Sequence, residues 1–311
     1  MSLTIVMYHY VRDLERSRYP AIKGRTTADF SRQLDHIAQT YRVVRAEEVV
    51  AAAKGGPALP DNAAWLTFDD GYLDHYTTVF PLLHERGWQG SFFPPVKTVV
   101  DRQLLDVNKI HFILAAEPDT QAIIAEIRVF LDQHGDGVPF ESYWRELAQP
   151  SRFDPAAVIF IKRLLQHRLP EALRNQLTQA LFHRFVSTDP AMFAAEVYMS
   201  VDQLKAMIRC GMYVGSHGAH HYWFDRLTAG QQAAEIDVSL AFLAELGAPT
   251  QDWVMCYPYG AYNDETLPLL RARGCAVALT TEVAVARIGV HSPLALPRLD
   301  TNDLPPSRLS A

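Results

Sequence analysis

The chain has 311 residues, of which 49% are hydrophobic and 21% charged, enough for one large domain with a sizeable buried core. The formal net charge of -6 leaves no basic field for a nucleic-acid backbone or an acidic membrane surface, so a neutral or weakly charged partner fits better. The three cysteines, Cys210, Cys256 and Cys275, form no CxxC pair, and a disulfide framework is not expected.

The amino end, MSLTIVMYHYVRD, has a short apolar run but no basic leader and no small-residue cleavage site. No apolar run in the chain approaches the length that spans a bilayer. We therefore expect a cytoplasmic protein without a membrane span. The apolar, β-branched run Leu3 to Tyr8 predicts a first strand, which ends at the polar trio Tyr8, His9 and Tyr10.

Helices and strands then alternate along the chain. Apolar residues at helical spacing predict helices over Thr27 to Thr40 and Arg45 to Ala53. A predicted strand, Ala63 to Phe68, runs directly into Asp69 and Asp70. The same rhythm continues over Tyr72 to Gly87, Ser91 to Val96, Tyr213 to Gly215, Thr228 to Gly247, Trp253 to Tyr257, Asp264 to Gly274 and Ala276 to Thr280. This alternation favours an α/β fold with parallel strands.

The rhythm is interrupted between about Asp101 and Val197, where apolar residues recur at helical spacing, as at Ile123 and Ile127. We predict a helical insertion, about residues 101–197, within a single domain of residues 1–311. The insertion could be a lid, a dimer surface or a wall of the substrate site, and its sequence does not decide among these. The oligomeric state is not predicted either.

Two clusters of polar residues could carry chemistry. In the segment TFDDGY, residues 67–72, two adjacent carboxylates follow an apolar strand, a costly placement unless something uses them. A solvated Asp-Asp-Gly turn is the structural alternative. The second cluster, GSHGAHH at residues 215–221, follows the apolar run Met212 to Val214.

His217 and His221 in the second cluster are four residues apart. A helical or tightly turned segment would present both imidazoles on one side, as metal chelation requires. Such a cluster alone is more often a polar loop. Combined with a strand-end carboxylate, it supplies two nitrogen ligands and one oxygen ligand, a set that leaves coordination positions open for water and substrate.

TFDDGY and SHxxxH, in this order and each at a strand end, resemble the polysaccharide deacetylase family, which has NodB homology and is carbohydrate esterase family 4. The resemblance covers about Ser2 to Val96 and Met199 to Asp303, and it implies a distorted (β/α)7 barrel of the NodB type with the helical insertion outside it. The implied activity is a metal-dependent hydrolase that removes N-acetyl groups from a carbohydrate. The start Met-Tyr-His-x-Val resembles the branch with exopolysaccharide N-deacetylases.

The resemblance implies that Asp70, His217 and His221 bind Zn²⁺, or another divalent ion such as Co²⁺ or Ni²⁺. It implies that Asp69 is the general base, consistent with the proton transfer that metal-assisted hydrolysis needs. The third family motif matches Tyr257-Pro258-Tyr259-Gly260, and the Tyr259 amide would complete an oxyanion hole.

The third motif lacks the arginine usual in the family. Arg298 and Asp300 alternate on one face of a predicted strand, Leu294 to Asp300, and either could orient Asp69 or bind substrate in its place; a structural salt bridge is equally open. The family's terminal catalytic histidine is also missing. His291 precedes the strand and is a weak candidate for the leaving-group acid, with a surface histidine as the alternative.

Substrate contacts are predicted for His9, Tyr72, Tyr222 and Tyr262. His9 resembles the family at the first strand end, close to the metal, although a core histidine bonded to backbone is the alternative. The three tyrosines lie beside the motifs and suit stacking on sugar rings, although barrel packing would also explain them.

The function predicted is N-deacetylation of a carbohydrate. An O-acetyl esterase or a hydrolase of non-sugar amides could use the same centre. A non-catalytic glycan-binding relative is favoured by the missing arginine and terminal histidine. A structural scaffold or interaction domain has only the helical insertion in its favour.

Overall fold

The structure is a computed structural model, and it describes residues 1–151 and 154–305. The chain divides into two compact units. One, the sheet unit, comprises Met1–Asp13, Gly24–Gln103 and the described residues from Ala194 onward; the other, the helical unit, comprises Leu14–Lys23 and Leu104–Phe193. No helix in the described ranges is long and apolar enough to cross a membrane.

The strands all belong to the sheet unit. They are β1 (Ser2–Tyr8), β2 (Arg42–Val43), β3 (Ala63–Asp69), β4 (Ser91–Phe93), β5 (Tyr213–Val214), β6 (Trp253–Cys256), β7 (Cys275–Leu279), β8 (Ala286–Arg287) and β9 (Leu299–Asp300). The α-helices are α1 (Thr27–Thr40), α2 (Ala46–Ala53), α3 (Phe80–Glu85), α4 (Val96–Val99), α5 (Asp106–Ala116), α6 (Thr120–His134), α7 (Phe140–Leu147), α8 (Ala156–Arg163), α9 (Glu171–Phe185), α10 (Pro190–Val197), α11 (Val201–Arg209), α12 (Ala229–Leu246) and α13 (Thr266–Ala272).

The α/β class is confirmed by a seven-stranded sheet and a separate two-stranded sheet. β3 pairs in parallel with β1, β2 and β4; β4 pairs with β5, and β9 with β1. β8 is the exception, since it is antiparallel to β1. β6 and β7 form the second sheet, and isolated bridges join Ser216 to Met255 and Leu279 to Leu296. With strands in two sheets, the distorted barrel stays a prediction.

The strand predicted over Leu294 to Asp300 is much shorter than expected. Only β9, its last two residues, is a strand, and Leu296 contributes a single bridge. Pro297 separates the two, and its missing N–H cannot contribute to a ladder. Arg298 is consequently held by its own contacts rather than by a regular strand.

β3 is buried along its whole length, which explains why its first four residues, Ala63 to Leu66, are all apolar rather than alternating. Trp65 packs in one core cluster with Val254 and Leu279, whereas Phe68 packs in another with Phe92. Successive side chains of a strand point to opposite faces, so Asp69 shares the face of Trp65. The strand therefore carries a carboxylate to the edge of the buried interior.

The helical unit includes a segment that the sequence pattern left unassigned. Tyr19, from the Leu14–Lys23 segment, packs edge-on against Phe112 and Phe193, with ring centroids 5.2 and 5.7 Å away. Lys162 Nζ lies 2.7 Å from Asp154 Oδ2, and Lys23 pairs with the same carboxylate. Aromatic packing and ion pairing together attach this segment to the helices.

Candidate active site

The three predicted metal ligands lie together beyond the ends of β3 and β5. Asp70 Oδ1 is 3.5 Å from His217 Nε2 and 3.4 Å from His221 Nε2. All three side chains are buried, and one ligand atom from each lies within 4.8 Å of the others. The spacing of the two histidines in the sequence thus corresponds to converging nitrogens in the fold.

The geometry of these atoms fits a divalent cation. Asp70 Oδ1 is buried and has no hydrogen-bond partner among the described residues. The two nitrogens that face it are farther away than in a well-formed N–H···O bond. Ligands about 2.0–2.1 Å from a tetrahedral ion would stand about 3.3 Å apart, close to the observed separations.

Neighbouring groups fix the orientation of the predicted ligands. His217 Nδ1 is 2.7 Å from the Cys256 carbonyl, so Nδ1–H donates there and Nε2 faces Asp70. The Tyr72 hydroxyl donates to Asp70 Oδ2 at 2.5 Å, which leaves Oδ1 for a metal. Burial lowers the pKa of His221, although Asp70 opposes this, and favours the neutral imidazole that binds metals.

Two of the predicted ligands have a left-handed backbone. The φ angle is 71° at Asp70 and 61° at His221, values that residues other than glycine rarely adopt. Gly218, between the two histidines, has a φ of 73°. Such conformations persist only where surrounding contacts impose them, and they concentrate at functional sites.

Asp69, the predicted general base, is held by a buried arginine. Arg298 Nη1 and Nη2 donate to Asp69 Oδ1 and Oδ2 at 3.0 and 2.8 Å, and Arg298 Nε donates to the Thr280 carbonyl at 2.8 Å. The Cys256 thiol lies 3.4 Å from Asp69 Oδ2. Burial raises the pKa of Asp69, but Arg298 and His217 outweigh it and lower the pKa to about 2. Asp69 is therefore ionised at neutral pH.

Arg298 and Asp300, which the sequence placed on one face, have different partners. The carboxylate of Asp300 caps the short 3₁₀ turn Thr301–Asp303, accepting from the Asn302 amide at 2.8 Å. The part of Asp300 in orienting Asp69 or in binding substrate stays a prediction, and its Oδ1 is engaged in this cap. His291 is held in a turn, where its Nδ1 accepts from the Arg287 amide at 3.1 Å.

Tyr259 lies in the 3₁₀ turn Pro258–Gly260 with a left-handed φ of 59°. Its ring stacks on Trp223 with centroids 4.1 Å apart and meets the edge of His221 at 4.7 Å. Both Tyr259 and Trp223 are half-buried. The third motif is thus joined directly to a predicted metal ligand.

Tyr72 does not have the position expected of a residue that stacks on a sugar. Its ring is completely buried, stacked between Tyr10 and Tyr198 at 4.1 and 6.0 Å. Burial and the nearby Asp70 raise the pKa of Tyr72, so the hydroxyl keeps its proton for the carboxylate. A completely buried ring cannot stack on a sugar, so the predicted substrate contact is corrected: the Tyr72 hydroxyl contacts Asp70.

The other predicted substrate residues are half-buried. Tyr222 stacks on His220 with centroids 5.4 Å apart, and Tyr262 stacks on Tyr257 at 4.8 Å, against the core. The His9 backbone carbonyl accepts from His75 Nε2 at 2.8 Å, directly after β1.

The sequence pattern missed several residues of the site. Cys256 was visible in the segment where the family arginine is absent, but its contact with Asp69 was not. Tyr10 and Tyr198 carry no motif that connects them to Tyr72. Glu235 contacts the histidine loop from the middle of α12, and nothing distinguished it from the other polar residues of that helix.

Comparison with known proteins gives a family match and one high-identity segment. Residues 174–278, which include His217, His221 and Tyr259, match the sequence model described as polysaccharide deacetylase. A segment of 67 residues is 40% identical to the poly-beta-1,6-N-acetyl-D-glucosamine N-deacetylase of Escherichia coli (strain K12). It covers 21% of this chain and only 10% of that protein.

Solved structures share the fold over nearly the whole chain. The deacetylase PplD of Streptococcus pyogenes, in complex with acetate, has a TM-score of 0.60 and 17% identity, covering 98% of this chain and 93% of that one. IcaB from Ammonifex degensii has a TM-score of 0.58 and 22% identity, covering 96% of this chain and 91% of that one. The chain thus matches the polysaccharide deacetylase model over residues 174–278 and shares its fold with these two solved proteins.

Proposed function

We propose that the protein is a metal-dependent hydrolase that removes N-acetyl groups from a carbohydrate, on a distorted (β/α)7 barrel. The convergence of Asp70, His217 and His221 on one point beside Asp69 carries this proposal. Family members are polysaccharide deacetylases by description, and the Escherichia coli relative is named for a polymer of N-acetyl-D-glucosamine.

Asp70, His217 and His221 would hold Zn²⁺ or a similar divalent ion. When bound, such an ion polarises an acyl carbonyl and lowers the pKa of water toward neutrality. Asp69, ionised and fixed by Arg298, accepts the proton of the attacking water. The Tyr259 amide donates to the oxyanion as the carbonyl carbon becomes tetrahedral.

The substrate surface that we propose is aromatic. Trp223 and Tyr259 form a stacked, half-buried pair beside His221, and Tyr222 extends the same loop. Aromatic faces of this kind pack well against the apolar faces of sugar rings. His9, directly after β1, would contact the sugar near the reacting amide.

Acetate release from a panel of N-acetylated and O-acetylated sugars tests the reaction class. We expect release from an N-acetylglucosamine oligomer that stops on chelation and returns with zinc. Release confined to acetylated xylan would instead identify an O-acetyl esterase. Binding of zinc and oligosaccharide without any release would identify a glycan-binding relative.

Asp69→Asn tests the general base. The variant keeps the size of the side chain but loses the ability to accept a proton, so we expect kcat to fall by about 10²–10⁴-fold while metal content is unchanged. Asp61→Asn, at an exposed position, is the matched control and should behave as wild type. Near-normal turnover by Asp69→Asn would remove Asp69 from this role.

A further inference from the structure

The loop that carries both histidine ligands contacts a buried carboxylate from α12. Glu235 Oε2 accepts from the backbone amides of Ala219 and His220 at 3.0 and 2.9 Å, and Glu235 Oε1 accepts from His220 Nδ1 at 2.5 Å. The Glu235 side chain is only 7% exposed. One carboxylate therefore holds two successive amides between His217 and His221.

The rest of the loop backbone is bonded as well. The Gly218 amide donates to the Ser216 hydroxyl at 3.1 Å, and the Ala219 carbonyl accepts from the Lys97 amide at 2.9 Å. The loop leaves this segment through the left-handed backbone of His221. A conformation of this kind costs free energy, and hydrogen bonds to a fixed acceptor are what maintain it.

The contact requires a group that accepts hydrogen bonds and donates none. Three N–H groups point at Glu235, and an ionised carboxylate accepts all of them. Charge-assisted bonds to buried amides are about twice as strong as bonds between neutral groups. An alanine here would leave one buried and one partly buried amide of the loop without this acceptor.

We infer that Glu235 is a positioning residue for the metal centre, acting through the loop backbone to aim His217 and His221 at the ion. This inference rests on the proposed function, because it assumes that the two histidines bind a metal. Among the described residues, Glu235 belongs to neither group of side chains that could hold a metal ion. Removal of groups that orient metal ligands lowers metal affinity by about 10–100-fold.

The test is the zinc affinity of the 311-residue chain, measured by competition with a chromophoric chelator. We expect Glu235→Ala to bind zinc about 10–100-fold more weakly than wild type, and Glu235→Gln, which retains one acceptor oxygen, to fall between them. Glu245→Ala, at an exposed position of the same helix, should bind as wild type. His220→Ala should also remain close to wild type, since it leaves both backbone contacts in place.

Circular dichroism and melting of the zinc-free proteins show whether each variant is folded. Wild-type affinity in folded Glu235→Ala would overturn the inference. If Glu235→Ala does not fold, unchanged affinity in Glu235→Gln would overturn it instead. A wild-type protein that binds no zinc would refute the proposed metal centre, an outcome distinct from failure of the Glu235 variants alone.

Discussion

Arg298 and Asp69 form a buried ion pair in the site. Both side chains are buried, with exposed fractions of 0% and 2%, and the guanidinium meets the carboxylate through two parallel hydrogen bonds. A planar fork of this kind fixes the plane of the carboxylate as well as its position. Under the proposed function, Arg298 would take the role left open by the missing arginine of the third motif, although it comes from a different part of the chain.

Arg298→Lys keeps the positive charge but loses the two parallel N–H groups that bond Asp69 and the Nε–H that bonds the Thr280 carbonyl. An ammonium cannot reproduce the bidentate geometry, so Asp69 should be misplaced. We expect kcat/KM to fall by about 10²-fold, the effect of small misplacements in active sites, while zinc content is retained. Activity and zinc content are measured together, with Arg287→Lys, an exposed substitution, as the control. Wild-type kcat/KM in Arg298→Lys would contradict the orienting role.

The turn that follows β3 determines the direction in which Asp70 points. Asp69 is the last residue of the strand, and the next two residues, Asp70 and Gly71, have φ angles of 71° and 72°. The double left-handed step turns Asp70 away from the direction of the strand. It also brings the Gly71 backbone close to Pro94, where a Cβ on Gly71 would lie 2.7 Å from the Pro94 Cβ.

Gly71→Ala and Gly87→Ala separate the cost of the left-handed backbone from the cost of the close contact with Pro94. Both glycines have left-handed φ angles, but a Cβ on Gly87 would meet nothing within 4 Å. We expect Gly87→Ala to lower the free energy of unfolding by about 1–2 kcal/mol, the cost of a left-handed alanine. Gly71→Ala should cost about 1–3 kcal/mol more, because the contact with Pro94 forces a shift in packed structure.

Urea unfolding of the zinc-free protein measures both changes. A shift near Gly71 also displaces Asp70, so Gly71→Ala should bind zinc more weakly, whereas Gly87→Ala should bind as wild type. Equal losses of stability in the two variants would show that the structure relieves the close contact between residue 71 and Pro94 at no cost in free energy.

The positions of Asp69, Asp70, His217 and His221 could be predicted because each follows an apolar run, and parallel strands end at the same edge of a sheet. Proximity to a motif in the sequence does not reveal whether a side chain is buried. For that reason Tyr72, which is completely buried, was predicted to contact substrate. Contacts that depend on long-range packing were also hidden. Arg298 and Asp69 are 229 residues apart, and their pairing follows from β9 lying beside β1.

At the scale of the whole molecule, the site exists only in the folded sheet unit, since its residues extend from His9 to Arg298. The stability of that unit depends on a buried titratable group that is not a predicted ligand. His75 is completely buried among the rings of Phe68 and Phe92, and its Nε2 donates to the His9 carbonyl at 2.8 Å. Its Nδ1 has no hydrogen-bond partner within the described part of the chain.

Burial lowers the pKa of His75 to about 4, below the value of 6.5 for the unfolded chain. The neutral imidazole therefore contributes stability above pH 6.5, and this contribution is lost as the pH falls from 6.5 toward 4. Between pH 7.5 and pH 5 the loss should be about 2 kcal/mol from His75 alone. The pKa of Asp69 is lowered to about 2, so its corresponding loss lies below this window.

Comparison of His75→Gln with wild type isolates this contribution. Free energies of unfolding are measured by urea titration at pH 7.5 and pH 5, with zinc removed from both proteins. His75→Gln should be less stable than wild type at pH 7.5, because it loses aromatic packing, but its stability should fall by about 2 kcal/mol less on acidification. His84→Gln, at an exposed position, should keep the wild-type pH dependence. His75→Gln and wild type share all other titrating groups. If their stabilities changed equally with pH, His75 would be protonated as readily in the folded protein as in the unfolded chain.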